Sequence, residues 1–259
     1  MWAILSDPSK KGRKWDSAAF FQSGEAAINH LFAEVELFDF PLRHGTALDF
    51  GCGLGRLTQG ICKHFDKTYG IDISPTMVAE ATRYNRCGLA CEYVVNDSTD
   101  LSCFGNDTFD FICSSIVLQH IRPEACKLYL AEFVRVLKPE GLLFFQLPSA
   151  MHKLPADTTA QAGSSSTLAP GSSRIWMRMR EIVSRRKASR SRKLESVEGP
   201  SDKADDLEKL IEMHGIPREE VCNLLERANA TVLRVQEDDC CGLEWASFRY
   251  WVTKASEQA

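Results

Sequence analysis

The sequence predicts an α/β fold: a doubly wound, mostly parallel sheet with helices on both faces. Apolar runs of strand length alternate with stretches of helical apolar period from residue 46 to residue 147. The first of these runs ends in a turn with a glycine at every second position, Gly51, Gly53 and Gly55. Two further apolar runs near the C-terminus are separated by a connection short enough for an antiparallel hairpin.

Composition sets the class. A chain of 259 residues is long enough for one large domain carrying an insertion. Its 44% hydrophobic and 25% charged residues are those of a water-soluble globular protein, and a net charge of -4 gives no global reason for nucleic-acid binding. No apolar run approaches a membrane span, and the first fifteen residues hold no signal-peptide core. The expectation is a cytoplasmic protein with reduced thiols. Cys52, Cys62, Cys113, Cys126 and Cys222 fall within predicted elements, as small buried hydrophobes do. Cys87-x-x-x-Cys91 and Cys240-Cys241 lack a second pair at zinc spacing, and the six histidines are scattered, so no metal is expected. The chain divides into an N-terminal helical cover (1–40), a core around the glycine turn (41–150), a flexible basic insertion (151–204) and a C-terminal part of the same domain (205–259).

Residues 15–40 place Phe20, Phe21, Ala27, Ile28, Leu31, Phe32, Val35 and Leu37 at near-helical spacing, with Asp16 or Ser17 as cap. Gly24 interrupts the pattern, which predicts two short helices. They either pack on the sheet edge or, through Trp15, Phe20 and Phe21, exclude water from a bound ligand. Residues 46–50 are the first strand, and Leu57, Ile61 and Phe65 mark the helix after the turn. Gly51 and Gly53 permit positive φ and close approach of a ligand, and the helix start offers free N–H groups. A nicotinamide fingerprint would have its third glycine at Arg56. The pattern here is instead Asp49-x-Gly51-x-Gly53-x-Gly55, with an acid able to accept from an ammonium group. That suits an amino-acid moiety better than a pyrophosphate.

The second strand, 67–71, ends at Asp72, which stands 23 residues after Asp49, near the spacing at which dinucleotide folds place a carboxylate on ribose hydroxyls. Ser74 and Pro75 open the next helix. A third strand, 91–95, runs into Asn96-Asp97-Ser98, which is also good turn chemistry. The fourth, 109–114, leads to Ser115-Ile116-Val117-Leu118-Gln119-His120, and Pro123 opens a helix with Tyr129, Phe133, Val134 and Val136 on its apolar side. Residues 137–141 form a turn into the fifth strand, 142–147. Strand ends at Asp72, Asp97 and Ser115 fall where an open α/β sheet binds ligands.

Residues 155–173 have no apolar period and read as a loop. Residues 174–193 carry nine basic side chains against one acid, with Ile175, Trp176, Met179, Ile182 and Val183 on one helical face. This is either a solvated insertion or a contact for an anionic membrane or an acidic or phosphorylated substrate. Regular structure resumes over 204–213, a helix follows over 216–225 with Val221, Leu224 and Leu225 inward, and 231–236 and 248–253 are the closing strands. Trp245 is a candidate wall for an acceptor pocket.

The order Asp49-x-Gly51-x-Gly53-x-Gly55, Asp72, Asp97, Phe109-Asp110-Phe111-Ile112, Leu118-Gln119-His120-Ile121 and Leu137-Lys138-Pro139-Glu140-Gly141 resembles the class I S-adenosylmethionine-dependent methyltransferases of small-molecule type. The family's paired glycines are Glu140-Gly141 here. The resemblance implies a Rossmann-like, seven-stranded sheet with an antiparallel last strand, and S-adenosyl-L-methionine as cofactor with S-adenosyl-L-homocysteine as product. It makes Asp49, Gly51, Cys52, Gly53, Gly55, Asp72, Ile73, Met77, Asp97, Ser98 and Ser115 the cofactor-binding residues, with the ammonium group at Asp49 and Ser115, the ribose at Asp72 and the adenine at Asp97. His120 is the candidate general base and Gln119 the candidate orienting residue. The expected partner is a small-molecule acceptor methylated on oxygen or nitrogen. The alternatives are action on RNA or protein through the basic insertion, and cofactor binding without catalysis.

Overall fold

The computed structural model describes residues 16–151, 212–242 and 244–256. All of them belong to one compact unit that joins the chain up to Lys153 with the chain from Glu212 onward. The expectations for Trp15, for the basic stretch 174–193 and for regular structure over 204–211 lie outside the described residues; Glu212 and Met213 have no regular structure.

Seven strands form one sheet. β1 is Thr46–Phe50, β2 Lys67–Asp72, β3 Cys91–Val95, β4 Phe109–Ser114, β5 Leu137–Met151, β6 Ala230–Asp238 and β7 Trp245–Lys254. Their spatial order is β3-β2-β1-β4-β5-β7-β6. The first five run parallel, while β7 is antiparallel to both β5 and β6. The chain leaves β1 toward β2 and β3, then returns on the other side through β4. The reversal of direction lies between β1 and β4, and a ligand crevice belongs beyond their carboxyl ends.

Alternation along the strands divides the core. Leu48, Phe50, Ile112, Phe145 and Tyr250 face the helices α4 (Pro123–Val136) and α5 (Arg218–Arg227), meeting Phe133 and Leu225. Ala47, Phe111, Leu142, Phe144 and Trp251 face α1 (Ser17–Glu36) and α2 (Arg56–Ile61), meeting Ile28, Phe32 and Ile61. The remaining helix, α3 (Pro75–Tyr84), starts from a Ser74 cap with Pro75 in its first turn, as its sequence requires. The Phe-Asp pair of β4 has a structural task. Asp110 is 3% exposed, and its Oδ2 accepts from the Thr46 amide and from Lys138 Nζ, each at 2.8 Å, tying β1, β4 and β5 together.

Several sequence expectations are corrected. α1 is one unbroken helix of 20 residues capped by Asp16, not two. Gly24 lies where α1 crosses α2: a Cβ there would stand 2.0 Å from the Arg56 carbonyl oxygen, so the glycine permits contact between the helices and does not break either. The helix after the glycine turn ends at Ile61, before Phe65. The turn at 137–141 is absorbed into β5, whose pairing shifts register there, and Glu140 takes the left-handed φ of 62° that a glycine would favour. β6 and β7 extend beyond the apolar runs that announced them. Among the described residues no helix is long and apolar enough to cross a membrane, and no three His, Cys, Asp or Glu side chains gather as a metal site. All ten cysteines are free thiols.

Candidate active site

The glycine turn is clamped from three sides. β2's end holds it, because the amides of Gly51 and Cys52 both donate to the Ile71 carbonyl, at 2.8 and 2.9 Å. Gly51 has φ 75°, and a Cβ on it would lie 2.4 Å from Val117 Cγ2, in the loop after β4. Gly55, at φ 78° before α2, has Tyr93 of β3 against it; a Cβ would stand 2.2 Å from Tyr93 Oη. Both positions therefore need glycine for conformation and for space. The Gly53 amide donates to Asp72 Oδ2 at 2.9 Å, while Asp72 Oδ1 accepts from the Ser74 amide at 2.9 Å. One carboxylate joins the turn to the start of α3 and remains partly open to solvent.

Asp49 is 2% exposed beneath this turn, and Thr58 Oγ1 donates to its Oδ2 at 2.6 Å. Removal from water pushes its carboxyl up to about 6, against the opposing pull of the Thr58 hydrogen bond and the nearby Arg56 charge. Arg56, read in the sequence only as the residue that spoils a nicotinamide fingerprint, supplies the cationic side of this arrangement. Burial lowers the pKa of its own guanidinium, while Asp49 raises it.

Around the crevice three apolar side chains face solvent at successive strand ends: Ile73 after β2 (72% exposed), Val95 at the end of β3 (41%) and Ile116 after β4 (43%). Single exposed apolar residues are ordinary, but these three all stand at carboxyl ends of parallel strands, the side on which an open α/β sheet binds ligands. Asp97 and Ser98 are exposed on its rim. Their loop is held by the Asn96 amide, which donates to the Asp72 carbonyl at 3.0 Å, and by Tyr129 Oη, which donates to the Ser98 carbonyl at 2.5 Å. The Ser98 hydroxyl itself donates to Asp100 Oδ1. Met77 packs with Phe20, Phe21 and Leu54, so the first turns of α1 rest on the glycine turn and close that side of the crevice.

Ser115 follows directly after β4, opposite the glycine turn. Ile116 then adopts φ 61°, a left-handed conformation rarely taken by a β-branched residue. A single 3-10 turn, Leu118–His120, follows, which the sequence pattern did not announce. Gln119 is 4% exposed, and its Nε2 lies 3.2 Å from His120 Nε2. Partial enclosure lowers the His120 pKa, opposed by a hydrogen bond to the Glu212 backbone and aided by the charge of His214. The imidazole is accordingly neutral at pH 7, with its ring nitrogens already engaged by protein. Two residues not assigned to the site from sequence, Gln146 of β5 and Cys241 before β7, join this loop to the rest of the sheet. Gln146 was visible as a lone amide within an apolar run. Cys241 stood out only as half of the Cys240-Cys241 pair, which lacks zinc spacing.

Residues 48–145 match the model of the methyltransferase domain family. They form a methyltransferase domain. The methyltransferase domain resembles curated proteins of two kinds. Over 130 residues it is 36% identical to the cyclopropane-fatty-acyl-phospholipid synthase of Escherichia coli K12, covering 49% of this chain and 32% of the synthase. Over 144 residues it is 27% identical to the ubiquinone biosynthesis O-methyltransferase of Xanthomonas euvesicatoria pv. vesicatoria, covering 55% of this chain and 58% of that enzyme. The chain thus spans about a third of one relative and just over half of the other. Among solved structures, an S-adenosylmethionine-dependent methyltransferase from Clostridium acetobutylicum superposes with TM-score 0.55 at 16% identity, over 91% of this chain and 92% of that one. The magnesium protoporphyrin IX methyltransferase of Synechocystis PCC 6803 with bound S-adenosylhomocysteine superposes with TM-score 0.54 at 14% identity, over 95% and 91%. At these identities the likeness is one of fold.

Proposed function

We propose that the chain transfers the methyl group of S-adenosylmethionine to an oxygen or nitrogen of a small-molecule acceptor. The observation that carries the reading is the placement of Asp49, Asp72 and Asp97 at or just beyond the ends of three neighbouring parallel strands, around a glycine turn at the β1/β4 reversal. That donor set fits the cofactor. Asp49 offers a desolvated carboxylate to an ammonium group. Asp72 holds the turn through one lone pair on each oxygen and keeps others for the ribose hydroxyls. Asp97 and Ser98 would hold the adenine, and the exposed Ile73 and Val95 would give it apolar cover. Gly53 would let the methionyl chain approach the turn's backbone, with Cys52 and Gly55 shaping that turn, and Ser115 would offer its carbonyl from the other side.

The cofactor supplies an electrophilic methyl group on a sulfonium. The protein's contribution is to align an acceptor in line with it and to exclude water, for which positioning alone supplies up to roughly 7–11 kcal/mol in well-oriented cases. Phe20 and Phe21 on α1 provide the water-excluding cover. His120 is the candidate base for an acceptor hydroxyl: its lowered pKa leaves the imidazole neutral, and the hydroxyl would take the place of the Gln119 amide at Nε2. The Gln119 amide, its Oε1 still held by the Cys241 thiol, would then orient the acceptor through its protons.

The test is methyl transfer from labelled S-adenosylmethionine to a panel of phenols, catechols, carboxylic acids and amines, with Asp72→Ala and His120→Gln beside the wild type. Label should enter an organic acceptor in the wild type, fall by tenfold or more in Asp72→Ala, and in His120→Gln fall chiefly in kcat. Transfer confined to RNA or protein, with a steep dependence on salt, would overturn the small-molecule reading.

A further inference from the structure

Gln146 is the polar exception in the β5 segment Leu142-Leu143-Phe144-Phe145-Gln146-Leu147. It is 1% exposed, and both protons of its amide are used: Nε2 donates to Ser247 Oγ at 2.7 Å and to Cys241 Sγ at 2.8 Å. Its Oε1 accepts from the Ile116 amide at 3.2 Å. That contact lies at the strained residue of the loop after β4, where a β-branched side chain keeps φ 61° only because the surroundings require it. Val117, next in the chain, is pressed against Gly51. The loop is therefore pinned at consecutive residues, by the glycine turn on one side and by β5 on the other.

The bonding continues beyond Gln146 with a consistent direction. The Cys241 thiol accepts from Gln146 and donates to Gln119 Oε1 at 3.0 Å; Gln119 Nε2 then donates to His120 Nε2 at 3.2 Å. The Gln119 carbonyl is fixed as well, by the His214 amide at 2.8 Å. With Nε2 as acceptor, the neutral His120 ring carries its proton on Nδ1. The chain of bonds thus sets, from Gln146 within β5, which nitrogen of His120 bears a lone pair. A buried polar network of this kind, satisfied at each step, specifies one arrangement of the groups it joins.

We propose that Gln146 is the positioning residue of the methyl-transfer site. It holds residues 115–120 against the glycine turn and, through Cys241 and Gln119, orients His120. The inference rests on the methyltransferase reading given above and deepens it, since Gln146, 1% exposed, acts through the residues it bonds.

The experiment uses the full chain and four variants: Gln146→Met, close in length but without polar atoms; Gln146→Glu, which retains an oxygen for the Ile116 amide; Cys241→Val; and Cys241→Ser, whose hydroxyl accepts and donates as the thiol does. Amide hydrogen exchange is read on a peptide covering 115–121 and on reference peptides from α4 and β1, and S-adenosylhomocysteine affinity is read by calorimetry. Gln146→Met should exchange at least tenfold faster over 115–121 with the references unchanged, and should bind S-adenosylhomocysteine at least fivefold more weakly. Gln146→Glu should restore the protection of the loop. Cys241→Val should loosen 118–120, and Cys241→Ser should not. Unchanged loop protection in Gln146→Met, faster exchange over all peptides alike, or failure of both conservative variants to restore protection would overturn the proposal. The exchange readout needs no ligand. A wild type that shows the expected loop pattern yet binds no S-adenosylhomocysteine would defeat the methyltransferase reading while leaving the pinning of the loop established.

Discussion

Asp49→Asn separates what the carboxylate does for the fold from what it does for the cofactor. Burial raises the Asp49 pKa from 3.8 to about 6, a shift worth about 3 kcal/mol. Because the folded value lies above the unfolded one, the folded state binds the proton more tightly between pH 4 and 6. Stability from this group is full below about pH 4 and is lost as pH rises through 6. At pH 7.5 the ionised carboxylate burdens the fold, and a neutral asparagine removes that burden while its Oδ1 still accepts from Thr58 Oγ1. Arg56 loses a counter-charge in the exchange, which offsets part of the gain. The expected net effect is a stabilisation of about 1–3 kcal/mol at pH 7.5 that vanishes near pH 4. S-adenosylhomocysteine affinity should fall tenfold or more, because its ammonium loses the anion opposite. In the wild type, affinity should also decline below pH 6 as Asp49 takes up a proton. Urea melts at pH 4, 6 and 7.5, with calorimetric titration of each protein, read all of this. An asparagine variant that binds as tightly as the wild type, or that is less stable at pH 7.5 with no convergence at pH 4, would refute the reasoning.

Three further substitutions probe the supports of the site. Gly51→Ala places a methyl group 2.4 Å from Val117 Cγ2 at a left-handed φ, and should cost about 2–4 kcal/mol in a urea melt and abolish cofactor binding. Asp110→Ala leaves the Thr46 amide and the Lys138 ammonium without their shared acceptor, for an expected loss of about 3 kcal/mol by denaturant titration, with cofactor affinity in the folded fraction unchanged. Gly24→Ala drives α1 away from the Arg56 carbonyl and should lower stability by about 1–3 kcal/mol. Because α1 also covers the crevice, hydrogen exchange in the glycine turn should quicken in that variant.

Local chemistry made most of the fold legible. β1 lies between Gly45 and Gly51 and β3 stops at Asn96, residues that end strands by their own turn chemistry, while β4 is marked by its apolar run alone. Ser74 and Pro75 announced α3 by cap and ring. What was not legible depends on distant partners. Gly24 looks like a helix breaker until Arg56, 32 residues later, is seen against it. The ends of β6 and β7 carry Glu237, Asp238 and Ser247, whose strand conformation comes from pairing with each other across the hairpin and from β5, not from an apolar period. The site divides in the same way. The places of Asp49 and Asp72 at strand ends were readable from motif and spacing, and that of Asp97 from the resemblance. The depth of Asp49 beneath the turn, the charge of Arg56 beside it and the bonds of Gln146 to Ile116 and Cys241 arise only when the sheet brings residues up to 95 positions apart into contact.

The most direct test of the central claim is calorimetric titration of S-adenosylhomocysteine into folded wild-type protein, beside Asp72→Ala and with NADH as a control. Binding by the wild type, weakening of tenfold or more in Asp72→Ala and no heat from NADH are the predicted results. Folded protein that takes up no S-adenosylhomocysteine, or that takes up NADH in its place, would contradict the account.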